Sequence, residues 1–551
     1  MKRLPDATKL GILLAVLLCA LFWQLGSWGV IESSEARYSE ISREMLETGH
    51  WLKPQYMQIM HFDKPLMTYW ITAIGLKLFG INAFAARFFL QIAYLVQIFM
   101  VYKITIGLFE QKKLATYAAF LYCGIPLVLI SVRNLTTDAY LNTFALLAVL
   151  CYLNYYKRSD IKWLYFFFCC LGLTVFTKGP FGLLLPLLAI YPIQRLLNSK
   201  PKSVIKNSNI HILLGLLLAI IIGGWWFFYL MYSSPKFYNF FVTEQLINRV
   251  ANADSMKRSK PFWYYFALLP LFVLPQLSLF AGGLIRYFKQ KRADLKWLII
   301  MSIVLPLLLF SLSSSKLILY ILPIMPFVAI VSAYYLYHLE DQKVKGHFIY
   351  IFTVYSIIAL ALITLCFDFI PQLNYQASNF QFILILLLAL YFYFILYSLK
   401  NYKHKILLSF LIIPIFLIPI STDLLKKLEV QINPISAVTS FIKSKHMEHQ
   451  NIIVWNRAIN AICFDLQQQT YSVKYDHYSL LRNTNFQLNF NWEKHLIDGK
   501  KEEDLPYLNR IAQSPSVLIT SDGIPENFSW LLSSYNQQKT IGKWTIYYKK
   551  Q

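Results

Sequence analysis

The sequence predicts a polytopic α-helical membrane protein of about thirteen transmembrane helices, followed by a small C-terminal extracytoplasmic α/β domain. Three observations predict it. Of 551 residues, 57% are hydrophobic and only 15% charged; the apolar residues come in runs long enough to cross a bilayer; and Lys and Arg punctuate those runs. A mean hydropathy of +0.47 lies outside the range of water-soluble domains. The formal net charge of +24 would suit a nucleic-acid binder, but such a protein gathers its cations on one face. Cations placed between apolar spans are the mark of membrane topology instead.

Taken in order, the first span, 10–28, follows Lys2, Arg3 and Lys9 in the manner of a signal peptide. Its end, Gly26-Ser27-Trp28-Gly29, offers no small-x-small cleavage pattern, so a retained helix is expected. Apolar windows place further spans at 84–108, 114–131, 137–156, 163–177, 180–198, 210–231, 262–285, 296–313, 317–337, 347–367, 379–399 and 405–421. Lys112-Lys113, Lys157-Arg158, Arg195 to Lys206, Arg286 to Arg292, Lys343 with Lys345, and Lys400 to Lys405 then fall on one side, which the positive-inside rule makes cytoplasmic. With the N-terminus inside and an odd number of spans, everything after Ile420 is expected outside, in the periplasm if the cell is a Gram-negative bacterium. The loops 29–83 and 232–261 lie outside with it. Of the seven cysteines, all but Cys463 sit within apolar spans and read as small hydrophobes, without a disulfide framework or a metal cluster.

The expected division is therefore a membrane domain, 1–422, and an external domain, 423–551. In the latter, Asn451–Trp455, Ser516–Thr520 and Trp544–Tyr548 read as strands and Ile435 to Lys443 as helix. No motif there suggests catalysis, and a lid or docking role is expected.

The external loops carry the chemistry. Ser33 or Ser34 can cap a helix whose first turn holds Glu35 and Arg37. Tyr38, Ile41, Met45 and Leu46 share one face of it and charges share another, which suits a helix lying in the interface. Free N–H groups and the Arg37 fork would face an approaching anion. Asp63, Lys64, Arg133, Asp138, Lys178, Glu244, Arg249, Lys257, Arg258 and Lys316 fall at the same external ends. One such residue is ordinary, since long side chains snorkel at helix ends. A positive excess on the external side, however, opposes the topology rule. Cations beside two or three carboxylates suit an anionic phosphate substrate with an acid or base, hence group transfer from a lipid phosphate.

At this point the residues resemble a known family. The run Ser34 to Leu46, with Gly49-His50-Trp51 and Phe62-Asp63-Lys64-Pro65, is similar to the first external loop of bacterial aminoarabinose transferases and related C-fold (GT-C) glycosyltransferases, a group that includes protein O-mannosyltransferases. Thr177-Lys178-Gly179-Pro180 and the run Ser315 to Pro323 resemble two further family segments, so the likeness covers roughly residues 10–335. It implies a GT-C-like enzyme that takes a sugar from undecaprenyl phosphate or a similar polyprenyl phosphate and gives it to lipid A or another envelope glycolipid or glycan. It also implies roles: Arg37, Lys64 and neighbouring Asp63 at the donor phosphate, Asp138 as an acidic residue at the second external loop, and Lys178, Arg249, Arg258, Lys316 and Tyr320 as acceptor or phosphate contacts.

One departure matters. The family carries an Asp-Glu pair where this chain has Ser34-Glu35, so either Glu35 or Asp138 is expected to serve as the catalytic carboxylate. An acceptor phosphate, already an anion, needs no base, whereas a hydroxyl does. Gln245 after Glu244 replaces a family histidine, which leaves a divalent metal as a weakly supported cofactor and no other indicated. The expected chemistry is direct displacement at the anomeric carbon without nucleotide. The alternatives are a polyprenyl-linked sugar flippase, which predicts inverted repeats and charges at mid-membrane, and a protein O-glycosyltransferase.

Overall fold

The apolar runs fold as helices because hydrocarbon offers the backbone no other hydrogen-bond partners. The computed structural model describes residues 15–32, 34–197, 208–239, 241, 260–289, 293–366, 378–476, 484, 487 and 491–549. Among these, eight helices are long and apolar enough to cross a membrane, and a pair bent by 79°, Tyr264–Phe272 with Leu274–Lys289, makes a ninth if counted as one span. The chain is thus a polytopic helical membrane protein with a C-terminal domain built on a mixed sheet.

Four expected spans take other forms. In 10–28 the described helix is 15–22, here α1. The stretch 114–131 is two short helices, Lys112–Cys123 and Pro126–Ser131, broken where Gly124 packs against Phe410 with no room for a Cβ and Pro126 starts the next turn. Thr137–Arg158 is a 22-residue helix, but it carries Asp138, Asn142 and a basic last turn. The helix Asn379–Ser398 contributes Asn379–Tyr391 as a shorter apolar helix among the described residues.

The segment after α1 begins with α2, Ser34–Thr48, continues through a two-stranded antiparallel ribbon, β1 (Gln55–Tyr56) and β2 (Ile59–Met60), and ends in α3, Met67–Phe79. From there α4 (Ala83–Phe109), α5 (Lys112–Cys123), α6 (Pro126–Ser131), α7 (Thr137–Arg158) and α8 (Ile161–Lys178) form the first bundle. Asn82 caps α4 by accepting from the Ala85 N–H at 2.9 Å. Thr136 caps α7, with Asp138 in its first turn and Lys157 and Arg158 in its last, each charge complementing the helix dipole. One turn into α7, Asn142 donates to Gln97 and Tyr122, and Tyr122 donates to Gln97 at 2.6 Å, locking α7 against α4 and α5.

The expected interfacial position of α2 is not what the structure shows. Ile41 and Met45 are buried, but so are Glu40, Arg43 and Glu44 on the opposite side, because the helix lies between α3 and helix Asn460–Leu466 of the C-terminal domain. That domain has strand order β5-β4-β3-β6-β8-β7, with β3 Asn451–Trp455, β4 Tyr471–Lys474, β5 Leu496–Asp498, β6 Ser516–Thr520, β7 Gln537–Ile541 and β8 Trp544–Tyr548. Strands β3 to β6 pair in parallel, and β8 pairs antiparallel with both β6 and β7. Alternate residues serve two cores: Ile452, Val454, Val517 and Ile519 join the large core that continues into the membrane bundle, while Ile453, Trp455 and Leu518 face a smaller one. The expected domain boundary at 422/423 falls inside the helix Tyr402–Lys427, which runs out of the bundle toward this sheet.

Candidate functional site

Loop 29–32 delivers the chain to the start of α2, and Glu35 points back into the protein. Its Oε1 accepts from Arg87 Nε at 2.8 Å and the Leu135 N–H at 3.1 Å, and its Oε2 from Arg87 Nη2 at 2.7 Å and the Ile31 N–H at 2.9 Å. Four acceptances saturate a carboxylate, and the side chain is buried. The geometry therefore corrects the expectation of a catalytic role for Glu35: no lone pair remains to take a proton from an acceptor.

Two residues on, Arg37 is half-buried and sits in the electrostatic range of Tyr56, Asp63, Tyr38 and Tyr69. Burial alone would ease its proton off, but these neighbours together push its pKa up, so it is a fixed cation. Tyr38 is buried, and desolvation drives its hydroxyl well above the usual phenol range; Asp138 and Asp63 add to that rise, and Arg37 opposes it. Arg37, Asp63 and Asp138 thus converge on one tyrosine.

The segment His61–Lys64 follows β2. His61 Nε2 lies 3.5 Å from an Asp63 oxygen, and Lys64 Nζ donates to the Asp63 carbonyl at 3.2 Å. Aromatic packing holds this loop down: Tyr56 meets His61 edge-on at 5.8 Å, and Phe62 meets Phe237 at 5.2 Å. The Trp226 indole donates to the Leu52 carbonyl at 2.9 Å.

Asp138 opens α7 and Lys178 closes α8, and the adjoining ends of the two helices join them in a partly buried ion pair. The chain leaves α8 through Gly179, whose φ of +81° a side chain would strain. The Lys178 ammonium lies 4.3 Å from the centroid of the Tyr320 ring, a cation–π contact. Beside it, Tyr265 donates to the Leu317 carbonyl at 2.8 Å. The ring-bearing segment Ile318–Ile324 is a 3₁₀-helix packed on α6 and α7. Lys316 is buried and points elsewhere, donating to the Lys260 carbonyl at 2.9 Å and the Ser313 carbonyl at 2.5 Å. Arg249 and Arg258, with Glu244 and Lys257, lie outside the described residues.

The structure therefore brings together Arg37, Asp63, Lys64, Asp138, Lys178 and Tyr320, and sets Glu35 and Lys316 apart from them. Sequence reasoning missed Arg87, although a charge inside an apolar run is itself a signal of a buried partner. It also left out the pairing of Tyr38 with Tyr69, whose ring centroids are 5.4 Å apart. Among the described residues no three His, Cys, Asp or Glu side chains gather as metal ligands.

The fold, with its charged cluster at one end of the bundle, is similar to that of a solved membrane protein, and part of the sequence matches a family of mannosyltransferases. Residues 63–227 match the family model "Dolichyl-phosphate-mannose-protein mannosyltransferase". The chain is similar to undecaprenyl phosphate-alpha-4-amino-4-deoxy-L-arabinose arabinosyl transferases, at 27% identity over 65% of this chain and 66% of the protein from Proteus mirabilis, and at 31% over 55% and 54% for that of Sodalis glossinidius. It spans two thirds or less of the length of these curated relatives. Over 98% of both chains its fold superposes on the crystal structure of ArnT from Cupriavidus metallidurans bound to undecaprenyl phosphate, with a TM-score of 0.77 and 18% identity.

Proposed function

We propose that this protein is an integral membrane glycosyltransferase that moves a sugar of the 4-amino-4-deoxy-arabinose class from undecaprenyl phosphate to a phosphate of lipid A on the periplasmic face. The single observation supporting this is the cluster of Arg37, Lys64 and Lys178 with Asp138, at the adjoining ends of α2, α7 and α8. Arg37 and Lys64, with Asp63 beside them, hold the donor phosphate and stabilise the charge that grows on it. The bond from the anomeric carbon to the donor phosphate oxygen breaks as a bond to an acceptor phosphate oxygen forms, and polyprenyl phosphate leaves. No proton moves, because the acceptor is already an anion. Lys178, aimed by Asp138 and backed by Tyr320, binds that acceptor.

In this reading the bilayer is the bacterial inner membrane, with a cytoplasmic N-terminus. The four expected spans 10–28, 114–131, 137–156 and 379–399 complete thirteen. The domain after the helix Tyr402–Lys427 is periplasmic. Residues 1–422 act as the transferase, with external loops 29–83 and 232–261, and residues 423–551 as its cover.

Mass spectrometry of lipid A, surface glycolipids and envelope glycoproteins from cells with and without the gene tests this, with Lys64→Ala alongside. The expected result is loss of one sugar from lipid A in both the deletion and the variant. Loss from a glycoprotein instead would replace the acceptor. Unchanged glycans with a polyprenyl-linked sugar accumulating on the cytoplasmic leaflet would replace the activity with transport.

A further inference from the structure

The C-terminal domain does more than cover the charged cluster: its side chains hold the backbone of the first external loop at both ends. At the entry to α2, Glu429 accepts from the Gly29 N–H at 2.6 Å, and the Asn433 amide donates to the Val30 carbonyl at 3.0 Å. Glu32 accepts from the Asn460 amide at 3.0 Å and from the Ala461 N–H at 2.9 Å. At the other end, Gln487 meets β2 in a reciprocal pair. Its Oε1 accepts from the Met60 N–H at 2.9 Å, and its Nε2 donates to the Met60 carbonyl at 3.0 Å. A carboxamide used this way substitutes for a neighbouring strand, and Gln487 is only 4% exposed, so water does not compete for either bond. Lys236, just after the helix Ser208–Ser233, donates to the Gln487 carbonyl at 3.3 Å. One residue therefore links the strand that leads into His61–Lys64 to the start of the second external loop.

We propose that Gln487 is a positioning residue for the donor-phosphate site: it fixes Met60, and through Met60 the placement of His61–Lys64, so that the site is organised only while the C-terminal domain is docked. This rests on the reading of His61–Lys64 as part of the site for a polyprenyl phosphate. A ribbon of two residues per strand has too few hydrogen bonds of its own to hold a loop still in water. Without its clamp, the binding-competent arrangement is one of several, and apparent affinity falls by the fraction populated.

The test uses the full chain in lipid nanodiscs, with undecaprenyl phosphate as the probe, and compares wild type, Gln487→Met and Lys64→Ala. Met keeps the volume of Gln and removes both hydrogen bonds. Hydrogen exchange of the 57–64 amides is read together with binding. The expected result for Gln487→Met is faster exchange confined to 57–64 and binding weakened by about tenfold, as two lost hydrogen bonds imply, with thermal unfolding unchanged. Unchanged exchange at 57–64 overturns the proposal whatever binding does. Faster exchange throughout the C-terminal domain also overturns it, because Gln487 would then support only that domain's fold. Wild-type binding by Lys64→Ala would instead remove the proposed phosphate site, while the exchange at 57–64 still reports separately on whether Gln487 holds the loop.

Discussion

Glu35 and Arg87 form a bidentate ion pair with neither side chain exposed to solvent. Arg87 spends its remaining donors on the carbonyls of Leu25, Trp28 and Gly29, at 3.0, 3.0 and 2.9 Å, so all five guanidinium N–H groups are satisfied. Its guanidinium also stacks 4.1 Å from the Trp28 ring centroid. The pair ties the end of the first helical segment, the start of α2 and the α6–α7 connection to one point on α4.

Removing one partner of a buried pair leaves the other uncompensated, a loss of ~3–5 kcal/mol. Glu35→Gln is therefore expected to lower the unfolding temperature and the yield of folded protein in detergent, with specific activity per folded molecule kept within a few-fold. A Glu35→Gln protein that melts like wild type yet transfers no sugar would restore Glu35 as a catalytic group.

Asp138 and Lys178 differ from that pair in being partly open to solvent, with the Lys178 side chain 12% and the Asp138 side chain 9% exposed, where Arg87 and Glu35 are fully enclosed. Lys178→Met should raise the acceptor KM and leave the donor KM unchanged. Asp138→Asn keeps the shape but loosens the aim of Lys178, at a cost of about tenfold in kcat/KM, the scale of one charged hydrogen bond. Its pH–rate profile should follow that of wild type. A profile that loses its acid limb in Asp138→Asn would show that Asp138 takes a proton, and hence that the acceptor is a hydroxyl.

Much of this arrangement is legible in the chain itself, for identifiable reasons. Asn451–Trp455, Ser516–Thr520 and Trp544–Tyr548 form strands with the bounds their apolar runs suggest, because β-branched and aromatic runs between polar turns admit little else. The pairing of Asp138 with Lys178 was not legible, since nothing local links residues forty apart; only the packing of α7 on α8 brings them together. Glu35 misled for a related reason. A carboxylate in the first turn of a helix has the same sequence signature whether it faces a substrate or a buried arginine. The burial of α2 was missed because amphipathicity assigns a polar face to water, whereas here Arg43 pairs with Glu40, and Glu44 accepts from the Met57 N–H, under the C-terminal domain.

That buried charge predicts a stability that depends on pH. Arg43 binds Glu40 through two bonds of 2.8 and 2.7 Å and reaches Glu47 at 2.7 Å, while among the described residues Glu44 accepts only from the Met57 N–H at 2.8 Å and its Oε2 has no partner. Cys463 and Asp465 face them from the helix Asn460–Leu466, and Thr439, Lys443 and Glu429 lie around Asp465. Desolvation lifts Glu40 to about 7 and Asp465 to about 6; it lifts Glu44 well above the carboxylate range, and the Glu40 charge lifts it further. Each folded-state pKa exceeds its unfolded value, so the folded protein holds more protons between about 4.5 and about 7. Their contribution to stability is complete below that window and is lost as pH rises through it. Unfolding temperature followed from pH 5 to pH 8 should therefore fall for the wild type. Glu44→Gln, which keeps an acceptor for the Met57 N–H and removes the charge, should flatten that fall and be the more stable protein at pH 8. Parallel curves for the two proteins would mean that Glu44 is ionised and compensated at every pH in the range, and that stability is indifferent to its proton.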